Sequence, residues 1–348
     1  MHYKGKYNVF DPGRISTYPL STRTNRVTLK DLVFCKDVDN FIKAGALPEK
    51  TCNDIETIAQ TIVSSRQAGK PVVLFTGAHL IKNGLGPLLV DLTNRKLVTL
   101  VAGNAATAIH DFELALTGET SEHVPDALGK GQFGMAYEFA YINSAMSLGN
   151  KQKLGCGESL GKMICNEKFR NLVLSSVAKD NSPRTFAHHE ISVIAACYKN
   201  DVPLTIHVGI GTDVIDQHPS FDGQAKGGCS GRDFLIFTDQ VTKLTNGGVI
   251  LNIGCAVTGP EVLLKAVSMA ANIGKAPNKI LTADFDFRGC YPDQMADESS
   301  PAYYFRDQKS IVTRIPQAFA GRGFYIQGNQ KQTVPLLYKK ILELLPSR

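Results

Sequence analysis

The sequence predicts an α/β protein: a Rossmann-like, doubly wound, mostly parallel sheet with a helical insertion and an N-terminal arm. Three observations point there. Short apolar runs at residues 71–75, 97–102, 203–208, 248–253, 279–283 and 323–327 have the length of strands, and the run 71–75 suits a strand buried on both faces. Stretches with apolar residues at helical spacing separate them. Small-residue turns follow the first two runs, Thr76-Gly77-Ala78-His79 and Gly103-Asn104-Ala105-Ala106, as expected where parallel strands end in loops.

The 348 residues suit one large or two ordinary domains, and we expect an extended arm over 1–30 and a single domain over 31–348 with a helical insertion at about 121–170. A hydrophobic fraction of 43% with 20% charged residues belongs to a globular chain with its own core rather than a disordered one. The net charge of +6 is spread along the chain without a Lys/Arg run, which argues against a nucleic-acid partner. No stretch approaches 18 apolar residues, and the start MHYKGKYNVFDPG has no apolar signal core, so no membrane partner is expected and the chain reads as cytoplasmic. None of the eight cysteines forms a C-x-x-C, against a zinc ribbon or a thioredoxin-type site, and Cys197 and Cys255 sit within apolar runs.

In chain order, residues 1–30 carry Pro12, Pro19 and many polar residues without periodicity, and read as an arm laid across a neighbouring subunit. Residues 53–68 form a helix capped by Asn53, with Ile55, Ile58, Ile62 and Val63 on one face. The strand at 71–75 leads into one helix whose stripe is Ile81, Leu85, Leu88, Leu89 and Leu92, then the strand at 97–102. This is a βαβ unit, right-handed by rule, which sets the two turns side by side at the carboxyl ends of parallel strands. Gly77 and Gly103 let backbone approach a phosphate, and the following helices offer free N–H groups. His79, Asn104, His110, Asp111 and Glu113 are the polar residues there.

Residues 121–170 change to Gly-punctuated helices (133–148 and 155–165), an insertion or lid over the strand ends. After Pro183 the alternation resumes: helix 188–199, strand 203–208, loop Gly209-Ile210-Gly211-Thr212-Asp213, helix 232–244, strand 248–253, helix 260–273 with Pro260 in its first turn, strands 279–283 and 323–327, and helix 334–345. The loop lacks the third glycine of G-x-G-x-x-G. Its continuation places Asp213 and His218 beyond a strand end, where His218 could act as a base near neutral pH. The bland alternative is a capping aspartate and a surface histidine. His188-His189-Glu190 suggests a metal, but adjacent helical histidines diverge and H-E-x-x-H spacing is absent, so no metal is expected. Asp284, Asp286 and Arg288 again follow a strand, with a charged turn as the bland alternative.

With these segments placed, the order of motifs over about residues 70–345 resembles the deoxyhypusine synthase family, a tetrameric, NAD-dependent group with a Rossmann-like sheet. Ala78-His79-Leu80-Ile81-Lys82-Asn83-Gly84 is similar to that family's first nucleotide-binding turn, and 103–111 to its second. Asp213 and His218 fall where the family has an aspartate and its active-site histidine, and Thr282-Ala283 matches a pair that touches the cofactor. Residues 323–337 resemble its closing strand and helix.

The resemblance implies NAD held by Gly77, Ala78, His79, Gly103, Asn104, Thr282, Ala283 and Asp284. It implies catalysis by His218 and Asp213, with His110 and Asp111 completing the pocket. The implied partners are a small amine or polyamine substrate and further copies of the chain, as a tetramer or dimer. The chemistry implied is oxidation of an amine to an imine and transfer of the aminoalkyl group. Thr258 stands where the family's Schiff-base lysine is expected, and a hydroxyl cannot form a Schiff base. The expectation is therefore a relative with changed chemistry: an NAD-dependent enzyme acting on a small amine. The alternatives are a nucleotide- or ligand-binding module of the same fold, a metal-dependent hydrolase, and a sirtuin-like activity suggested by Thr76-Gly77-Ala78 without the sirtuin zinc cysteines.

Overall fold

The computed structural model describes residues 4–43 and 47–346. Among the described residues eight strands are formed: β1 (Asn25–Thr28), β2 (Val72–Thr76), β3 (Leu100–Asn104), β4 (Glu119–Glu122), β5 (Leu204–His207), β6 (Val249–Ile253), β7 (Leu281–Asp286) and β8 (Arg322–Gln327). Six of them make one sheet in the order β5-β3-β2-β6-β7-β8, and every neighbouring pair is parallel. Numbered within the sheet, that order is 3-2-1-4-5-6, the arrangement of a doubly wound dinucleotide fold. The α/β class read from the sequence is the class observed.

The central strands β2, β3 and β6 are largely apolar because both faces are covered. From β2, Val72 and Leu74 enter the cluster shared with Ile58 and Ile62 of the helix Glu49–Gln67 and Leu337 and Ile341 of the helix Gln330–Glu343. Val73 and Phe75 enter a second cluster with Phe237 of the helix Gly223–Val241 and Leu263 and Val267 of the helix Thr258–Asn272. Period-2 alternation thus feeds two cores rather than one core and solvent.

Several boundaries differ from the sequence reading, each for a local reason. The helix Glu49–Gln67 begins directly after Pro48, so Asn53 lies inside it and is not the cap. The stripe from Ile81 to Leu92 is broken into two helices, Ala78–Lys82 and Gly86–Asn94. Gly84 between them has φ +78°, a Cβ there would overlap the Asp31 carbonyl, and Val33 N–H donates to Gly84 O at 2.8 Å. A passing segment therefore interrupts an otherwise continuous amphipathic pattern. The helix Gly223–Val241 starts well before residue 232, capped by Asp222, whose carboxylate accepts from the N–H groups of Gln224 and Ala225. Its glycines masked it, yet Gly228 is required for close approach to Asn150. A π-helical turn, Gln308–Arg314, was not foreseen, and the last helix starts at Gln330 under an Asn329 cap and runs through Pro335.

Within 121–177 the helices Phe139–Lys151, Cys156–Cys165 and Glu167–Val177 bury Tyr141, Ala145, Met163 and Phe169. They pack on the helices Gly223–Val241 and Val193–Lys199 and cover the β5 edge, where unpaired backbone would otherwise be open. The N-terminal arm returns to its own chain from Tyr18 onward. Tyr18 exchanges backbone hydrogen bonds with Met135 and Tyr137 (3.1 and 2.9 Å), and β1 pairs antiparallel with β4. No helix among the described residues is long and apolar enough to cross a membrane.

Candidate functional site

Strand order reverses between β2 and β6: the chain proceeds from β2 toward β3 and β5 on one side, and from β6 toward β7 and β8 on the other. At such a switch point the connecting loops diverge and leave a crevice beyond the carboxyl ends of the strands. Two bare turns meet there. Gly77 N–H donates to Ile253 O at 3.2 Å, and a Cβ on Gly77 would overlap the Gly254 carbonyl. Gly254 itself has φ +64°, and a side chain there would run into Gln330. Gln330 Oε1 accepts from Asn83 Nδ2 at 3.1 Å, so this pair closes one wall of the switch point.

The β3 turn lies beside the β2 turn, as the βαβ unit requires. Thr107 Oγ1 donates to Thr76 O at 3.1 Å, tying the two together. Asn104 caps the helix Ala105–Thr117: its Oδ1 accepts from Thr107 N–H at 3.0 Å. Gly103 faces Thr107 closely enough that a Cβ would crowd that side chain. The structure therefore does bring Gly77, Ala78, Gly103 and Asn104 together on one rim.

His79 is exposed on the short helix Ala78–Lys82, which packs on Ala105–Thr117 and so lies near His110. His110 is pushed down to about 3 by burial, with Lys82, Arg23 and His79 adding positive potential, so the ring is neutral. Its Nδ1 meets Thr120 Oγ1 at 2.7 Å. Asp111, one residue on, points elsewhere, because consecutive helical side chains diverge by about 100°. Its carboxylate accepts from Ser192 Oγ (2.6 Å), Val193 N–H (2.8 Å) and Ile194 N–H (3.0 Å), capping the helix Val193–Lys199. Burial raises Asp111 to about 6, against those three hydrogen bonds. Asp111 is thus placed as a helix cap, not in the pocket that was expected to join it to His110.

Asp213 and His218 lie in the loop after β5, two strands from β2 and so about 10 Å along the rim at the usual strand spacing. Asp213 does not orient His218. Its carboxylate pairs with Lys226 Nζ at 2.7 Å and accepts Gly209 N–H at 3.0 Å. Lys226 is 1% exposed and also pairs with Asp216, which accepts Gly211 N–H at 2.7 Å. One buried ammonium therefore gathers the whole loop.

His218 is 4% exposed and pushed down to about 4, first by burial and then by Lys179. This corrects the expectation of a base near neutral pH: desolvation penalises the imidazolium. Ser220 places its hydroxyl 2.7 Å and its N–H 3.2 Å from His218 Nδ1, while Asn143 Nδ2 donates to the same hydroxyl at 3.0 Å. Nδ1 then accepts, which assigns the proton to Nε2, a buried N–H with no partner. His218 is built as a neutral hydrogen-bond donor.

On the other side of the switch point, β7 turns its expected cofactor residues inward. Thr282 Oγ1 donates to Ile311 O in the π-helical turn, and Ala283 sits in the apolar core. Both have zero exposure and no free polar group, so neither offers an atom to the rim. Asp284 is equally buried, with Oδ1 accepting from Asn252 Nδ2 at 2.7 Å. His188, His189 and Glu190 lie at a 3-10 turn, and among the described residues no group of three or more His, Cys, Asp or Glu side chains is arranged to hold a metal ion.

Three residues at these sites escaped sequence reading. Lys226 looked like one basic residue in a glycine-rich stretch; its i, i+4 relation to the Asp222 cap was the available signal. Gln330 lay before the assigned start of the last helix. Arg23, in the arm, pairs with Glu113 at 2.7 Å and stands 4.0 Å from Glu122, both nearly buried, and nothing in the local pattern distinguishes it from its neighbours.

No family model matches the chain, and no curated protein matches it. Among solved structures, it is similar to ArgZ, an arginine dihydrolase from the ornithine-ammonia cycle in cyanobacteria. The identity is 16% and the TM-score 0.47, over 86% of this chain and 33% of that one. AgrE, solved as a ternary complex with ornithine and NAD+, gives 14% and 0.46, over 86% of this chain and 34% of AgrE. A deoxyhypusine synthase-like protein from Entamoeba histolytica gives 8% and 0.32, over 79% and 75%. The chain spans about a third of the length of ArgZ and AgrE.

Proposed function

We propose that the chain is an NAD-dependent enzyme acting on a small amine, its cofactor lying across the switch point between β2 and β6. The observation that carries this reading is the 3-2-1-4-5-6 strand order, with Gly77, Gly103 and Gly254 at the carboxyl ends of three adjacent strands. The glycines let these turns pack closely on their neighbours, which leaves the start of the helix Ala105–Thr117 at the rim, where its N–H groups would meet a ligand's phosphate. Gly77, Ala78 and His79 would hold one phosphate and Gly103 with Asn104 the other, at the start of a 13-residue helix. When bound, NAD would supply a hydride acceptor for the carbon bearing the amine.

The chain's own residues would do the rest. His218 would donate its Nε2–H to an oxygen of the cofactor or of the substrate, and its neutrality adds no like charge beside a cationic amine. Lys226, Asp213 and Asp216 would fix the loop that carries it. His110, neutral and next to His79, would line the cofactor side. Aminoalkyl transfer, as in the deoxyhypusine synthases, is the narrower form of this proposal, and Thr258 in place of a lysine favours plain oxidation and reduction instead.

Self-association belongs to the same reading. Tyr7, Val9 and Phe10, ahead of the anchored part of the arm, point outward and would lie on a neighbouring copy. All eight cysteines are free thiols, which suits a cytoplasmic setting.

Titration with NAD under thermal unfolding tests the cofactor. Saturable stabilisation is expected, and weakened by Asn104→Ala or His79→Ala; no shift at millimolar NAD would end the proposal. A panel of diamines and amino acids followed by reduced-nicotinamide absorbance tests the chemistry. NAD binding with no turnover across the panel would leave the second reading, a ligand-binding module, favoured by the engagement of Asp213 with Lys226.

A further inference from the structure

The carboxyl end of β3 bears on which dinucleotide the proposed site can take. In a doubly wound fold, the residue that ends the second strand of the first βαβ unit meets the adenosine ribose. A carboxylate there accepts from the ribose 2′-OH and repels a phosphate on the same oxygen, which selects NAD. In this chain β3 is that strand, parallel to β2, and its last residue is Asn104. An amide stands where the discriminating acid would be.

Asn104 is held so that a donor is left over. Its Oδ1 accepts from Thr107 N–H at 3.0 Å and lies 3.0 Å from Thr107 Oγ1, which fixes the amide orientation. Nδ2 has no hydrogen-bond partner among the described residues, and the residue is half-buried rather than closed off. A phosphate only accepts hydrogen bonds, so an amide N–H matches it and a carboxylate does not. Ala106, also half-buried, adds a first-turn N–H that no carbonyl of its own helix takes.

Charge on this face points the same way. Lys82, Arg23 and His79 all place positive potential on His110, in the second turn of the helix that Asn104 caps. Arg23 is held by Glu113 and Glu122, whereas His79 and Lys82 form no ion pair among the described residues. The carboxylates of this stretch are committed elsewhere. Asp111 caps the helix Val193–Lys199, Glu113 takes Arg23 and Thr120, and Glu122 accepts from Tyr18 Oη and Gly134 N–H.

We propose that the site admits a phosphate on the adenosine 2′-oxygen, so that NADP binds at least as tightly as NAD, with Asn104 the residue that sets this preference and Lys82 a source of positive charge nearby. The inference rests on the dinucleotide reading above, and in NADP the phosphate met by Gly103 and Asn104 is the one on the ribose.

Isothermal titration calorimetry of the full chain with NAD and with NADP, in one buffer at one salt concentration, reads the preference directly. The dissociation constant for NADP is expected to equal that for NAD or lie below it. Asn104→Asp keeps a capping oxygen, since Asp caps a helix as well as Asn does, and an unchanged thermal midpoint checks that the fold is intact. It should weaken NADP relative to NAD by about tenfold or more, through like-charge repulsion. Lys82→Met should weaken NADP by a larger factor than NAD. Weaker binding of NADP than of NAD by the wild-type chain, or a ratio that neither variant changes, would overturn this inference and leave the dinucleotide reading standing. Binding of neither nucleotide would overturn both.

Discussion

Lys226→Met is the most informative single change, because it separates a structural clamp from a chance surface contact. The side chain is 1% exposed and its ammonium contacts Asp213 at 2.7 Å and Asp216 more closely still, with carboxylates 14% and 6% exposed. At an effective dielectric of about 20, each contact is worth roughly 6 kcal/mol of gross Coulomb energy, most of it offset by desolvation of the ions. Deleting the lysine leaves two nearly buried carboxylates whose remaining support is the Gly209 and Gly211 N–H groups. Breaking a buried pair in this way typically costs about 3–5 kcal/mol. Urea unfolding should show that loss as a lower midpoint with unchanged slope, and the thermal midpoint should fall by roughly 4–7 °C. Adding Asp213→Asn and Asp216→Asn to Lys226→Met should restore at least half of it, because no buried charge is then left unpaired. A loss under about 1 kcal/mol, the range of an exposed pair, would refute the clamp.

Other perturbations reach the remaining parts of the molecule. Gly77→Ala forces a methyl group against the Gly254 carbonyl, so it should cost about 1–3 kcal/mol and weaken NAD at least tenfold by calorimetry. His218 is held near 4 in the fold against about 6.5 unfolded, so the unfolded state takes up a proton first as pH drops. Wild type should therefore lose roughly 1–2 kcal/mol relative to His218→Gln between pH 6.5 and pH 4, and parallel stability curves would contradict the assignment. Arg23→Ala removes the cation between Glu113 and Glu122 and should expose the arm to limited proteolysis near Tyr18 while the sheet stays intact. Val9→Glu with Phe10→Glu should lower the oligomeric state measured by light scattering, if the arm lies on a neighbouring copy.

The sequence by itself determined the sheet. A run such as 71–75, Pro-Val-Val-Leu-Phe, is apolar at every position, and only a strand with helices on both faces makes use of that. It also determined the β2–helix–β3 unit and the adjacency of the Gly77 and Gly103 turns, since a short right-handed crossover permits no other arrangement.

Only the tertiary structure decided which polar residues face a ligand. Asp111 and His110 are neighbours in sequence, but helical rotation sends one to cap Val193–Lys199 and leaves the other near His79. Asp213 was a site position only by resemblance, and its partner is a lysine on a helix that glycines had hidden. Thr282, Ala283 and Asp284 follow the strand pattern correctly, but the π-helical turn takes Thr282's hydroxyl on one face and the apolar core takes Ala283 on the other. Apolar burial is written in local periodicity because each strand or helix repeats its own geometry. The partner of a buried charge is set by whichever distant element arrives opposite it, and no local pattern encodes that.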